Sequence, residues 1–587
     1  MPNAIAKTFV LALAGIGTAM AAAQSFRVQC PTSTITHPLA ANNNSEPFYN
    51  GPTNLALGTN GYLVPSGSTP NVNGAIKCQQ ISGGDGFSTM ANGTQTFMFS
   101  FGPLSGLADI AKGLPGTQFP NVFNDPYPGS LPGNTAPNQF LQPGDPAATD
   151  DASSVQTYNG YGYLSKTNPS GNLPPFQWNG AVGEVPDVDA QAAGLCGGAG
   201  QPSCMDGHVD PRQIMDVGVM NGNIPAPTMA VDEDDEFFLT LSNVGMIMRP
   251  DLFEQHTVHF HGYPNAASFY DGVPEASEAI NIGGSFTYYY LAPDAGTYFW
   301  HCHITPPEHL QMGMVGQIYV RPRQDRLPVN MHLFAGLQLQ QGDLRTACTQ
   351  ANSTDSFYNP DILCTNPLPA SGDNGVAQEL DTVGSTTTNP NYDQPQKYAY
   401  NDGDGSTAYD VEYPIQIHGF DPNFHFVGMT FNPEMFVDMK DKFFLLNGRS
   451  YPDTVTAGPL TTETSDGRSH FSQPLPTIIN IPAGGKALLR ISDLDVQEMQ
   501  TLESLGIPMH VIGYNAKLLR DQEGNNTDYY TNSITLGGGE SLDVILDASN
   551  KTLYPAGSVF YLFTPQLDHL ANDQENFGGL MTEVHIN

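Results

Sequence analysis

A cysteine, a histidine and a methionine follow one another at short intervals between Gly296 and Val320. Cys302 is followed by His309 and then by Met314. Thiolate, imidazole and thioether together form a soft donor set, which suits copper better than zinc. Such a copper site needs a second imidazole from a neighbouring strand, and His256 is the candidate. We therefore predict a type 1 copper site on these four residues.

Four more histidines lie beside these positions. His259 and His261 form a His-x-His pair, and His301 and His303 flank Cys302. Residues two apart in a strand point to the same side, so each pair can direct two imidazoles to one place. We predict a second metal centre on these four histidines, joined to the first through the peptide bonds of Cys302.

Strands must hold these residues in place. Segments such as EFFLTLSNV, SFTYYYLAP and MVGQIYVRP alternate in polarity and end at Gly, Pro, Asn or Asp, a pattern typical of β-sandwiches. A second block with the same texture runs from 409 to 587. The fold prediction is all-β, with tandem Greek-key β-sandwiches.

The chain of 587 residues is too long for one hydrophobic core. Residues 24–209 are rich in Gly, Pro, Asn and Ser, and we predict a loop-rich N-terminal region of unknown role. A copper-binding sandwich is expected at 210–325, a connecting segment at 326–408, and a sandwich without copper ligands at 409–587.

The first residues and the overall charge limit the partners. Residues 1–23 have the layout of a cleavable signal peptide, and no later stretch is long and apolar enough to span a membrane. We therefore expect a secreted protein, extracellular or periplasmic. The net charge of −37 argues against nucleic acid as a partner.

Export affects how the seven cysteines are interpreted. Six of them lie in loop-like stretches that an oxidising compartment would pair. We predict the sequential pairing of Cys30 with Cys78, Cys196 with Cys204, and Cys348 with Cys364. Cys302 is left over, which fits a metal ligand.

The segments HTVHFHG and GTYFWHCHITPPEHLQMGMVGQIYV resemble the multicopper oxidase family, including large bacterial members proposed to oxidise manganese. The resemblance covers roughly 210–325 and 409–587. It implies cupredoxin-like sandwiches, with His309 receiving electrons and Cys302 passing them on. It also implies a type 2/type 3 copper centre, to which His259, His261, His301 and His303 contribute, where dioxygen is reduced.

The chain departs from the family in its histidine count. The family's three-copper cluster takes eight imidazoles, and the remaining histidines here contain no His-x-His pair. His418 and His425 come nearest to such a pattern. Either a homo-oligomer or a partner protein completes the centre, or the centre is smaller. Copper nitrite reductases look similar too, but His259 and His303 occupy positions where that family has no ligand.

Two functional hypotheses remain open at this level. The first is an exported multicopper oxidase that takes electrons from a metal ion or phenol-like donor and passes them to dioxygen. The alternative is a non-catalytic blue-copper electron carrier or an extracellular structural cupredoxin protein. Carboxylates of the same domain could hold a metal-ion substrate near His309; they are Glu254, Asp271, Glu275, Glu278, Glu308 and the acidic run Val231 to Glu236.

Overall fold

The structure is a computed structural model of the whole chain. It describes residues 29–123, 222–339, 366–369, 397–429 and 435–587, apart from short gaps at 60, 62, 68–71, 111–112, 247, 250, 264–266, 293, 329–330, 332, 459 and 464–468. The predicted signal peptide and the predicted pairs Cys196–Cys204 and Cys348–Cys364 lie outside these residues.

Strands dominate the described residues. The N-terminal part and the first sandwich contain β1 (Leu55–Leu57), β2 (Leu63–Pro65), β3 (Ile76–Thr89), β4 (Gln95–Pro103), β5 (Met229–Asp232), β6 (Glu236–Gly245), β7 (His259–Phe260), β8 (Ser285–Leu291), β9 (Gly296–His301) and β10 (Val315–Arg321). The remainder contains β11 (Lys397–Tyr398), β12 (Ala408–Tyr409), β13 (Val411–Phe420), β14 (Phe443–Leu446), β15 (Leu460–Glu463), β16 (Ser469–Gln473), β17 (Ile479–Ile481), β18 (Lys486–Asp493), β19 (Gln500–Leu505), β20 (Met509–Tyr514), β21 (Lys517–Leu518), β22 (Tyr529–Thr531), β23 (Ser533–Leu536), β24 (Ser541–Asp547), β25 (Val559–Phe563) and β26 (Met581–Ile586). The all-β prediction is confirmed.

Helices are short in the described part of the chain. They are α1 (Leu107–Ile110), α2 (Pro120–Phe123), α3 (Pro306–Gln311), α4 (Leu333–Gln338) and α5 (Pro422–Met429). No helix among the described residues is long and apolar enough to cross a membrane.

The first sandwich consists of two four-stranded sheets, ordered β4-β3-β6-β8 and β5-β10-β9-β7. Aromatic side chains fill the space between them, and the ring centroids of Phe101 and Trp300 lie 5.0 Å apart. Both rings are fully buried. Burial of such large apolar surfaces is the main force that holds the two sheets together.

Two strands of this sandwich come from the region that the sequence assigned to loops. Strand β3 pairs in parallel with β6, and β4 pairs with β3, so the sandwich starts well before residue 210. The segment IKCQQISGGDGFST lacks the alternation typical of a strand because both of its faces are buried. One of its polar groups is paired with the neighbouring strand, since Gln80 Nε2 donates to Ser242 Oγ over 3.0 Å.

The second sandwich packs a seven-stranded sheet around β13, β18 and β24 against a five-stranded sheet ordered β17-β26-β25-β19-β23. Its core is almost entirely aliphatic, with Ile417, Leu489 and Val544 fully buried.

Polar contacts join the two sandwiches. Thr297 Oγ1 donates to Asp543 Oδ1 over 2.6 Å, and Gln317 Nε2 donates to Ser492 Oγ over 2.7 Å. All four side chains are buried, so each bond would be costly to leave unmade. The two sandwiches are therefore held in one arrangement by a hydrogen-bonded interface.

The acidic run from Val231 to Glu236 is buried and does not form a metal-binding surface. The Arg323 guanidinium donates two hydrogen bonds, of 2.7 and 2.8 Å, to the Asp234 carboxylate. Buried carboxylates need such partners. The run therefore fixes the connection after the first sandwich and is not a substrate site.

An N-terminal strap is fastened to the first sandwich. The predicted disulfide between Cys30 and Cys78 is present, with sulfurs 2.02 Å apart. Nearby, His37 Nδ1 lies 3.0 Å from Glu236 Oε2, and Tyr289 donates to Glu236 over 2.6 Å. Burial opposes the charged form of Glu236, but the hydrogen bond and charge of His37 outweigh it and lower its pKa to about 2.

We expect Glu236→Gln to lower the free energy of unfolding at neutral pH by about 2 kcal/mol. The pKa of Glu236 falls from 4.5 to about 2 on folding, so its stabilisation is present above pH 4.5 and is lost as the pH falls toward 2. Thermal unfolding of both proteins from neutral to acidic pH measures this. The difference should shrink on acidification, whereas the exposed control Glu523→Gln should match the parent; a gap that does not depend on pH would contradict the account.

Candidate metal centre

Cys302 follows β9 directly, and β10 begins just after Met314. The connection folds into α3 and is closed by two backbone hydrogen bonds. Cys302 N donates to Met314 O over 3.1 Å, and Met314 N donates to His309 O over 2.8 Å. The sequence spacing thus becomes a tight loop that holds the three predicted ligands close together.

His256 joins this loop from the segment that leads into β7, the strand that pairs with β9. Its backbone is fixed by a pair of hydrogen bonds with Ile280, of 3.1 and 3.0 Å. One ligand atom each from His256, Cys302 and His309 lie within 4.8 Å of one another. His309 Nδ1 is 3.2 Å from Cys302 Sγ, and Thr257 N donates to the same sulfur over 3.4 Å. The structure thus brings three predicted ligands together, with the fully buried Met314 at the end of the same loop.

The His256 ring is buried without a protein partner. Among the described residues, neither of its nitrogens has a hydrogen-bond partner, although the side chain is completely buried. Burial, and then the neighbouring His309, keep its pKa well below the usual range, so the ring is neutral. An unpaired buried polar group costs roughly 1–3 kcal/mol. A soft metal ion bound by a neutral imidazole and the Cys302 sulfur would remove that cost, so these residues fit copper.

Two residues of the N-terminal strands shape this pocket. The Phe99 ring stands edge-on to His309, with centroids 5.1 Å apart. Gly83 lies against His256, and a Cβ there would come within 2.4 Å of His256 Cδ2. Sequence reasoning missed both residues, because they belong to strands that it did not identify.

His309 is the ligand closest to solvent-accessible carboxylates. Its Nε2 lies 3.5 Å from Oε2 of Glu254, which is partly exposed. Burial disfavours the charged ring, but the Cys302 sulfur and Glu254 outweigh it and raise the pKa of His309 to about 10. Nδ1 of His309 thus faces the Cys302 sulfur, and Nε2 faces the Glu254 carboxylate.

Side chains of the second sandwich hold the ligand loop in place. His418 Nε2 lies 2.8 Å from Leu310 O, and His425 Nε2 lies 2.9 Å from Gln311 O. The Gln311 amide donates to Asp441 over 2.9 Å. Both histidines therefore position the loop.

The other predicted histidines form a second cluster next to the first. Ligand atoms of His259, His261 and His301 lie within 4.8 Å of one another. His261 Nε2 is 3.0 Å from His301 Nε2. The His303 ring lies beside them, with its centroid 5.1 Å from that of His259. All four predicted members are thus brought together, three of them close enough to share an ion.

Backbone carbonyls orient these rings. His259 Nδ1 donates to Asp271 O over 2.7 Å, and His301 Nδ1 donates to Cys302 O over 2.6 Å. Burial lowers the pKa of His261 to about 4 and that of His301 to about 3, so both are neutral. Such bonds fix the tautomer that leaves Nε2 free for a metal.

A cavity of about 420 Å³ opens beside this cluster. His261 and His301 lie on one side, and the second sandwich provides the other side with Asp495, Glu498 and Gly539. A Cβ on Gly539 would come within 2.8 Å of His261 Nδ1, so glycine is needed for this close approach. A small molecule can therefore reach the second cluster.

The remaining candidates have structural roles. Met246 and Met312 are buried in the core of the first sandwich. Glu275 is exposed, and Asp271 contributes its carbonyl to His259. Two of the carboxylates proposed for substrate binding thus lie beside predicted ligands: Glu254 Oε2 is 3.5 Å from His309 Nε2, and Asp271 Oδ2 is 3.6 Å from His259 Nδ1.

Comparison with known proteins assigns the segment that carries these ligands. A family model described as multicopper oxidase matches residues 204–325. This segment is similar to the multicopper oxidase family. "Laccase 1" of Metarhizium robertsii is 33% identical over 145 residues, which is 24% of this chain and 21% of the relative. "Laccase-1" of Emericella nidulans is 35% identical over 123 residues, 20% of this chain and 18% of the relative.

Solved structures align with a larger share of the chain, but at lower sequence identity. A blue copper oxidase structure from Nitrosomonas europaea aligns with 62% of this chain and 78% of its own, at 18% identity and a TM-score of 0.38. The chain matches only about a fifth of the length of these two laccases. The sequence relationship to this family therefore rests on residues 204–325.

We expect Gly83→Ala to weaken copper binding at the His256 site by about 10- to 100-fold, because the new methyl group displaces the His256 ring. Copper affinity measured by competition with a chelator tests this. Gly537→Ala is the matched control, since its Cβ meets Glu540 at an ordinary 3.5 Å. Circular dichroism should show both variants folded. Unchanged affinity in Gly83→Ala would contradict the described pocket.

Proposed function

We propose that the chain is an exported multicopper oxidase that oxidises a metal ion or phenol-like donor one electron at a time and reduces dioxygen. The observation that carries this proposal is the contact of 3.2 Å between His309 Nδ1 and Cys302 Sγ, one residue away from the histidine cluster. The proposed site that takes up electrons and the proposed site that passes them to dioxygen thus both lie at the end of β9.

The first site would hold type 1 copper. His256, Cys302 and His309 would be its strong ligands and Met314 a weak one. Copper bound there would accept one electron at a time from the donor. The surrounding residues exclude water, because all four side chains are completely buried. A buried and rigid ligand set favours rapid electron transfer because little has to move when the charge changes.

Cys302 links the two sites. It is bonded through the backbone to His301, and its carbonyl accepts the hydrogen bond from His301 Nδ1 at 2.6 Å. The neighbouring His303 is fixed by a bond of 3.0 Å from its amide to Thr257 Oγ1. Electrons from the first site therefore have a short covalent route to the second, where His259, His261, His301 and His303 would hold type 2/type 3 copper.

The donor would approach at His309. The partly exposed Glu254 places its Oε2 3.5 Å from Nε2 of His309. A carboxylate at this position attracts a cation. A divalent metal ion is therefore our preferred donor over a phenol. The net charge of −37 favours the same class of donor.

Export is part of the proposal. The Cys30–Cys78 disulfide fits an oxidising compartment. Without oxygen reduction at the second centre, the same chain would act as a blue-copper electron carrier. The four histidines predicted at that centre are compatible with either function.

Cys302→Ser should remove the intense visible absorption of the copper–thiolate bond and abolish oxygen consumption with a reducing donor. Met314→Leu should keep the absorption band but change the reduction potential of the copper, because it removes only a weak axial ligand. Met312→Leu is the matched control, since Met312 is equally buried in the same loop. Spectra and potentials identical in the two methionine variants would argue against Met314 as a ligand.

Glu254→Gln should slow the oxidation of a divalent metal-ion donor by about tenfold while leaving the visible band unchanged. The substitution removes the negative charge beside His309 without removing bulk. Steady-state rates with a metal ion and with a neutral phenol provide the test, and the exposed Glu275→Gln serves as control. Equal losses with both donors would show that the carboxylate does not select cations.

A further inference from the structure

The second cluster has too few imidazoles for three metal ions. It contains His259, His261, His301 and His303. His418 and His425 hold the ligand loop, and His569 contacts Gln500. A metal ion in such sites takes about three protein ligands. The set therefore suffices for one ion and does not fit the family's three-copper cluster.

The geometry of the rings points to a single cation. His261 and His301 face each other through their Nε2 atoms at 3.0 Å. The Nδ1 of His301 donates to a carbonyl, and the backbone of Gly539 bonds to His261. A cation between the two Nε2 atoms would accept the lone pairs of both rings. Nitrogen donors bind such a cation at about 2 Å, which small ring rotations permit.

The wall opposite the histidines offers no imidazole among the described residues that line the cavity. Asp495 is already occupied, since it accepts from Gln497 N over 2.7 Å and from Gln500 Nε2 over 2.6 Å. Glu498 is held by His569 at 3.1 Å. The chain's own second sandwich thus lies where further histidine ligands would be needed.

We propose that the second centre of this chain holds one copper ion, bound by His259, His261 and His301, and that dioxygen is reduced there by two electrons. This inference rests on the proposed oxidase function. A chain with two copper ions stores two electrons, taken from two one-electron donors. Combined with two protons from solvent, they convert one dioxygen into one hydrogen peroxide, whereas reduction to two waters takes four electrons and four protons.

The test uses the full chain loaded with Cu(II) and freed of loosely bound metal. Copper per chain is measured by mass spectrometry, and the oligomeric state by light scattering on the same sample. We expect two coppers per chain, and one in the double variant His261→Ala/His301→Ala, whose retained visible band shows that the first site is intact. His510→Ala, distant in the second sandwich, should keep two.

Oxygen consumption with a reducing donor then tests the product. We expect one hydrogen peroxide for each dioxygen consumed, so that added catalase returns half of the oxygen. One copper per chain, or four in any oligomeric state, would overturn the single-ion centre. Two coppers with water as the product would overturn the two-electron reaction. A missing thiolate band, or no oxygen uptake, would instead contradict the proposed oxidase function. The copper count tests the single-ion centre independently of that result.

Discussion

Burial of the His256 imidazole without a hydrogen-bond partner is the constraint on which this structure depends. Neither ring nitrogen has a partner among the described residues, and the ring contacts the aromatic Phe99. An apolar side chain would pack there at lower free-energy cost. A metal ion shared with Cys302 and His309 explains why imidazole stands at this position.

The division of labour between the two sandwiches follows from that constraint. The first sandwich supplies every ligand in both clusters. The second supplies the contacts that keep the ligands in place: His418 and His425 hold the loop carbonyls, and Gly539 approaches His261. Because ligands and supports lie on different sandwiches, the hydrogen-bonded interface between them is part of the metal site. We therefore expect the second sandwich to be needed for metal binding.

The sequence identified the chemistry better than the architecture. Cys302, His309 and Met314 could be predicted because ligand spacing in one loop is local. The His-x-His pairs follow from strand periodicity, which is also local. Strands β3 and β4 were missed because both faces of β3 are buried and its residues do not alternate. The roles of Gly83 and His425 depend on contacts between distant segments, such as the bond from His425 to Phe97 O, and no spacing rule encodes them.

The most direct test of the copper assignment is a crystal structure of the copper-loaded chain with data collected on both sides of the copper absorption edge. The account predicts a strong anomalous difference peak bounded by Cys302 Sγ and the imidazoles of His256 and His309. Absence of a peak there, or a disulfide involving Cys302, would contradict it.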